Sequence, residues 1–312
     1  MNRFRRPQPA ARGSVKRDSF ITMEQALRTS QVQPLRAFLN PIAMARGLLA
    51  QRELIWQLAK RDIEGRYRAA RLGLLWAILT PLCLLGIYTF VFAVVFRFRW
   101  TDDPDETRGQ FALTMFCGML LYGLFAEVAN RAPQMVVANP NYVLKVVFPL
   151  EVFVVSGLLS ALINMLIGYG VWLVGWLLIE QRLPAWTLVW IPVVLLPVCL
   201  TTAGVSWFLA SIGVFVRDVG HAVVLATQVL FFATPIFYSI ERVPQPYRRV
   251  LEVNPLTHAV EDIRRVMMWD GSGSAPHPQW SWWLATAAAS AVVALLGYAF
   301  FMKSKRAFAD VI

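Results

Sequence analysis

The sequence predicts an all-α membrane protein: six transmembrane helices, an amphipathic helix at the membrane surface ahead of them, and short re-entrant helices before the last span. Three observations carry this. Of 312 residues, 57% are hydrophobic and only 16% charged, with a mean hydropathy of +0.51, far from the composition of a soluble domain. Apolar runs longer than the ~20 residues that cross a bilayer core recur along the chain, and the first, Leu72–Phe96, carries no charge at all. Basic charge is gathered at one end: residues 1–71 hold 15 Lys or Arg against 5 Asp or Glu, the excess that keeps a segment in the cytoplasm.

The net charge of +11 is therefore a topology signal, and no nucleic acid is expected as a partner. Residues 1–46 form a basic arm with Arg3, Arg5, Arg6, Arg12, Lys16 and Arg17 but no apolar stretch of the kind a signal peptide needs. Residues 47–71 turn amphipathic. At 100° per residue, Glu53, Gln57, Lys60, Arg61 and Glu64 fall along one side and Ile55, Trp56, Ala59 and Ile63 along the other. Such a helix lies among lipid headgroups, with Trp56 at the boundary and the charged side free for a soluble partner.

The first span, 72–96, ends at Arg97, and Asp102, Asp103, Asp105 and Glu106 mark an outside linker. The second, 111–137, carries Glu127, Asn130 and Arg131. A charge at mid-bilayer costs roughly 2.5–3.5 kcal/mol, so these side chains need partners. Glu127 and Arg131, four apart, can pair on one helix face, either as a structural pair near the cytoplasmic boundary or as the lining of a polar pathway. The stretch NPNYVLKVVFPLE, 139–151, reads as a rigid cytoplasmic elbow bearing Lys145, with Asn139 as cap, Pro140 at the first helical position and Pro149 as stop. The third span, 150–179, is rich in glycine (Gly157, Gly168, Gly170, Gly175), which lets helices approach. It sets Trp172 and Trp176 toward its outer end, where an aromatic belt is expected.

The fourth span, 188–216, contains Pro192 and Pro197 as expected kinks, and Arg217 and Asp218 turn the chain into the fifth, 222–240. Residues 241–280 are too polar to span. Asn254–Pro255 begins an amphipathic helix with the stripe Leu256, Val260, Ile263 and Met267, and with Glu261 and Arg265 at i, i+4. The short helices of 244–270 are expected to dip into the outer leaflet, the alternative being a helix lying flat on the surface. The sixth span, 282–302, ends in the basic tail 303–312, which puts the C-terminus in the cytoplasm. Cys83, Cys117 and Cys199 each lie in an apolar run without a ligand-spaced partner, and His221, His258 and His277 are scattered. No catalytic cluster and no metal site is expected.

Six segments then carry a resemblance by their order and spacing: LIWQLAKRDIEGRYRAARLGLLWAILTP, NRAPQMVVANPNYVLKVVFPLE, SWFLASIGVFVRDVG, TPIFYSI, NPLTHAVEDIRRVMMW and GYAFFMKSKRAFADVI. Over roughly residues 50–312 the chain resembles the permease subunits of ABC-2 type polysaccharide exporters, those for lipopolysaccharide O-antigen above all. The resemblance implies a homodimer in the bacterial inner membrane, both termini cytoplasmic, binding two copies of a separate cytoplasmic ABC ATPase. The chain has no GxxxxGK[ST] phosphate loop. It is expected to be a permease and no enzyme, to hold no cofactor, and to leave ATP and magnesium to the ATPase.

By the same resemblance, Glu53, Gln57, Lys60, Arg61 and Glu64 on the interface helix meet that ATPase, with Asn139, Pro140, Asn141, Tyr142 and Lys145 on the elbow. Arg217 and Asp218 are lesser candidates. The 244–270 helices become an outer gate, and the channel is expected to run along the dimer axis, lined by Tyr88, Phe92, Tyr122, Phe125, Phe232 and Tyr238. A lipid-linked polysaccharide is expected to come in near the interface helix, where Arg66, Arg68 and Arg71 either attract its pyrophosphate or simply anchor the chain to the inner leaflet.

Other functions would leave other marks. A secondary transporter would show an internal repeat or mid-membrane charges that couple ions, and neither is apparent. A membrane enzyme acting on a lipid-linked sugar would need acidic or metal-binding groups at a membrane face, and the acidic run at 102–106 reads as a solvated turn. Within the family, export of capsule or teichoic acid is the alternative to O-antigen.

Overall fold

The computed structural model describes residues 38–68, 73–100, 106–144, 148–268 and 277–312. Every regular element among them is helical, as an all-α membrane protein requires. Helix α1 (Pro41–Ala50) begins on the side chain of Asn40, which accepts from the amides of Ile42 and Ala43. It leads into the amphipathic α2 (Arg52–Arg68). The first span is α3 (Trp76–Thr89), continued as a π-helix over Phe90–Val95, where the amide of Phe96 reaches back five residues to the carbonyl of Val91. Next comes α4 (Arg108–Val137), started by a reciprocal cap between Thr107 and Gln110. The elbow helix α5 (Pro140–Leu144) and α6 (Val152–Glu180) follow. Then come α7 (Ile191–Phe215), α8 (Val219–Ala233), α9 (Gln245–Glu252), α10 (Pro255–Met267), α11 (Trp280–Ser304) and the short α12 (Phe308–Val311).

Among the described residues, five helical stretches are long and apolar enough to cross a membrane: 76–95, 108–137, 152–180, 186–215 and 280–311. The expected fifth of six spans, 222–240, takes another form. Its helix α8 has 15 residues, about 22 Å at 1.5 Å per residue against a ~30 Å core. Thr234 leaves the helix in extended conformation, because the ring of Pro235 disfavours α geometry in the residue before it. The remaining apolar residues, Thr234–Ser239, run on without regular structure.

The central post is α4, which packs against α6, α7, α8 and α10. Burial there is dense, with Met115, Phe116, Cys117, Leu121 and Ala132 fully enclosed. Close approach of backbones fixes α7 on α11: a Cβ on Gly297 would lie 2.0 Å from the carbonyl oxygen of Gly204, so the two helices touch where neither has a side chain. Trp172 and Trp176 are interior side chains, correcting the expectation of a lipid-facing belt. They are 1% and 2% exposed, lie 5.3 Å apart in a stack, and donate to the carbonyls of Leu113 and Arg182. By contrast α3 is scarcely covered, with Leu82, Ile87 and Phe90 all exposed.

Helix α10 is also interior, which overturns the flat-lying alternative. Val260, Ile263 and Val266 are fully buried, and the helix packs against α4, α7 and α11. Its ion pairs fall at i, i+3, Glu261 with Arg264 and Asp262 with Arg265, in place of the expected Glu261–Arg265 pair. Arg264, 4% exposed, donates to the carbonyls of Thr114, Pro235 and Ile236 at 3.1, 2.6 and 2.8 Å. Its guanidinium also sits 3.9 Å from the ring centre of Trp100. One side chain thus joins α10, α4 and the break after α8.

At the other end a second core gathers Ile55 and Leu58 of α2, Val152 and Phe153 of α6, Trp207 and Val214 of α7, and Phe301 and Phe308. Lys305 pairs with Glu151 at 2.8 Å and Phe308 is buried, so these two residues anchor the 303–312 tail.

Candidate functional site

The inward face of α2 keeps Ile55 and Ala59 of the expected apolar side but is rotated away from Trp56. Ile55, Leu58 and Ala59 are buried while Trp56 is half exposed, and the same face continues one and two turns on with Asp62 and Arg66. These two meet the polar residues of the second span. Arg131 of α4 binds Asp62 through both its terminal nitrogens, one at 2.8 Å, and Arg66 pairs with Glu127 at 2.5 Å and with Asp62 at 3.2 Å. The expected pair within one helix, Glu127 with Arg131, is present but longer, at 3.7 Å. The third helix completes the group: Ser160 of α6 donates to Asp62 at 2.7 Å and Asn164 to Glu127 at 3.4 Å.

Two cations and two anions make a neutral quartet, which is what lets four ionised groups stay in half-buried space. Burial pushes the Asp62 carboxyl upward, but hydrogen bonds from Arg131 and Ser160 and the charges of Arg131 and Arg66 outweigh it and hold the group at about 2. A carboxyl depressed from its usual ~3.9 contributes stability above pH ~4 that is lost as pH falls toward 2. The purified protein should therefore lose on the order of 2 kcal/mol across that window. Thermal melts of wild type and Asp62→Asn between pH 5 and 2 check this, the variant lacking that part of the slope.

The quartet adjoins several spaces. On one side lies a cavity of about 550 Å³ between α3, α4, α6 and Phe231, with an apolar wall of Trp76, Leu84, Met119 and Leu120 and with Arg66, Glu127 and Asn164 at one end. On another is a polar crevice of about 380 Å³ lined by Arg61, Asp62, Asn130, Arg131 and Gln134. Asn130 turns away from the quartet and accepts from the Thr227 hydroxyl at 2.9 Å, tying α4 to α8.

On the outer face of α2, Glu53, Gln57, Lys60, Arg61 and Glu64 are all exposed. Gln57 donates to Glu53 at 3.0 Å, and Lys60 and Glu64 lie 3.9 Å apart. Arg61 reaches the hydroxyl of Tyr142 at 3.3 Å, so α2 and the elbow α5 form one surface. Tyr142 is backed by the rings of Phe148 and Phe153. Asn139 sends its amide back to the carbonyl of Met135, Pro140 and Asn141 are exposed, and so are Arg217 and Asp218. Lys145, Arg71 and the side chain of Arg68 lie outside the described residues.

The six aromatic side chains expected to line a channel divide. Tyr122 and Phe125 are buried, 3% and 6% exposed; Tyr122 donates to the carbonyl of Thr227 and forms part of the wall of the 550 Å³ cavity. Tyr88, Phe92 and Tyr238 are half-buried and Phe232 is exposed. Tyr88, Phe92 and Phe232 pack around Phe237, and Tyr88 and Phe232 also meet Phe231, two rings the sequence reading passed over: Phe92 stacks on Phe237 at 4.5 Å, and Tyr88 lies 5.2 Å from it. Arg66 also stands differently from the expectation, its guanidinium being engaged by two carboxylates. Asp62 is the site residue that the reading missed. Its signal was present, an acid on the buried stripe of α2 one turn before a base.

Apolar helices long enough to span, an amphipathic helix bound against them and an internal neutral cluster of charges define the class: a polytopic all-α membrane protein. Within that class the chain belongs to the ABC-2 type transporter family, whose family model matches residues 53–268, and it is a permease component of that kind. Among similar proteins are the O-antigen export system permease protein RfbA of Klebsiella pneumoniae, 26% identical over 261 residues that cover 83% of this chain and 95% of the relative. RfbA of Myxococcus xanthus is 28% identical over 227 residues, 72% of this chain and 84% of the relative. The polysialic acid transport protein KpsM of Escherichia coli is 26% identical over 241 residues, 72% and 85%.

Proposed function

We propose that this chain is the transmembrane half of an ABC transporter that exports a lipid-linked polysaccharide, O-antigen in the first place, across the bacterial inner membrane. A separate ATPase drives it, binding ATP and magnesium, and two copies of each subunit make the assembly. Membership of the ABC-2 family and the O-antigen export relatives support the substrate class. The observation that carries the coupling is the Arg61–Tyr142 hydrogen bond, which makes the charged face of α2 and the elbow one docking surface for the ATPase. Both termini are then cytoplasmic, and α9 and α10 form the outer gate.

In this reading Tyr88, Phe92, Phe232 and Tyr238, with Phe231, give ring faces to sugars along the dimer axis. Arg68 and Arg71 meet the pyrophosphate first, because a phosphate at Arg66 has to displace Glu127 and Asp62. A capsule-type glycan is the second reading, favoured by the likeness to KpsM and to the capsule polysaccharide export inner-membrane protein CtrC of Neisseria meningitidis, 21% identical.

Co-expression with the ATPase and reconstitution in liposomes tests this. ATP-dependent movement of a lipid-linked glycan is expected, and it stops when the ATPase is inactivated by substitution of its phosphate-loop lysine. Failure of any ATPase to co-purify would remove the mechanism. Offering O-antigen and acidic capsule glycans side by side separates the two readings.

A further inference from the structure

We propose that Asp62, Arg66, Glu127 and Arg131 form a register key that makes α2 move as one body with α4 and α6, so that thrust on α2 tilts the spans and does not slide along them. Asp62 is its positioning residue. The proposal rests on the reading of α2 as the surface that meets an ATPase.

Three helices each contribute two side chains four residues apart: Asp62 and Arg66, Glu127 and Arg131, Ser160 and Asn164. In both charged pairs the acid comes first. Across the gap the order reverses, Asp62 meeting Arg131 and Arg66 meeting Glu127, as it must if opposite charges are to face each other. Each charge also touches an opposite charge on its own helix. From α6, Ser160 and Asn164 each donate to the acid of one rung. Each of the four charges thereby has one opposite charge on its own helix and one across the gap, in one alignment.

Slip of α2 by one turn, about 5.4 Å, destroys that alignment in either direction. One way sets Asp62 against Glu127, the other Arg66 against Arg131, and each leaves the remaining two charges without a partner across the gap. With these side chains only 22–40% exposed, solvent screens such contacts weakly. Uncompensated half-buried charge is strongly disfavoured, and fixing register is the best attested use of buried polar groups. One-turn ratchets are a known mode of helix movement. The key excludes it here and leaves rigid tilt.

The test uses the chain with its ATPase in liposomes. Asp62→Arg should leave ATP hydrolysis within twofold of wild type while glycan movement drops at least tenfold. The inverted quartet, D62R with R66D, E127R and R131E, restores the alternation with every sign reversed and should bring movement back to within threefold. Movement by Asp62→Arg at the wild-type rate overturns the proposal, as does an inverted quartet that fails to assemble or moves no more glycan than Asp62→Arg. If Asp62→Arg itself does not assemble, the inverted quartet decides alone. A second measurement needs no transport: spin labels at Arg52→Cys and Gln134→Cys, both exposed, in a chain freed of its three native cysteines and embedded in nanodiscs. With the labelled chain diluted into unlabelled copies, a single narrow distance is expected, broadened or shifted by about a turn in Asp62→Arg. An unchanged distribution in the variant sinks the key whether or not the exporter reading stands, whereas a wild-type complex that moves no glycan counts against the exporter reading alone.

Discussion

Arg264→Met is expected to cost the protein about 3–5 kcal/mol, enough to leave little folded material at 37 °C. The guanidinium donates to three backbone carbonyls from an almost fully buried position. Methionine fills the same length and satisfies none of them. An orphaned buried acceptor costs ~1–3 kcal/mol, and breaking a buried charge arrangement by removing one member costs ~3–5. Arg264→Lys, a point charge without the planar fork, should fall between. The fraction of monodisperse protein after detergent extraction and its thermal midpoint measure the loss. Wild-type behaviour in the methionine variant would mean that the carbonyls of Pro235 and Ile236 find other donors, and the role of α10 in holding the break after α8 would have to be given up.

Gly297→Leu should separate α7 from α11. The first added carbon already falls 2.0 Å from the carbonyl oxygen of Gly204, which is backbone and cannot rotate away, and a Cβ on Gly204 would meet the Val293 carbonyl at 2.5 Å. Overpacking costs ~1–3 kcal/mol where side chains can adjust, and more is expected here because a helix must move. Membrane insertion depends on hydropathy and should survive, so the variant is expected in the membrane but sensitive to protease within the 186–215 and 280–311 helices. The control is Gly170→Ala, an exposed position on α6 where nothing lies within 4 Å; it should be neutral or gain up to ~1 kcal/mol from the better helix former.

The long helices were legible because hydropathy is a property of each segment alone, and the elbow was legible because proline acts locally. What escaped depended on which helix lies beside which. Trp172 and Trp176 stand where an aromatic belt would, and only the position of α4 turns them into interior groups. The short α8 was read as a full span because Thr234–Ser239 keeps the hydropathy high while Pro235 stops the helix. Glu127 and Arg131 were recognised as needing partners, and the nearest in sequence were each other. Their stronger partners sit more than sixty residues away on α2, whose periodicity hid Asp62 among charges that face water. Tyr122 and Phe125 show the same limit: an aromatic residue in a span has no direction until its neighbours are known.

The wide winding at the end of the first span has a bearing on sequence change. A residue removed from a membrane-crossing helix normally rotates everything beyond it by about 100°, turning one whole side toward the wrong surroundings. Between Phe90 and Val95 the turns already hold a surplus residue, and Arg97 follows with a positive φ of 55°, so the rotation ends there. Loss of one residue in this interval is expected to relax the winding to an ordinary α-helix, with Phe98 still beside Phe92. The C-terminal end of the first span thus holds a reserve of slack, set beside the rings of Phe92 and Phe237.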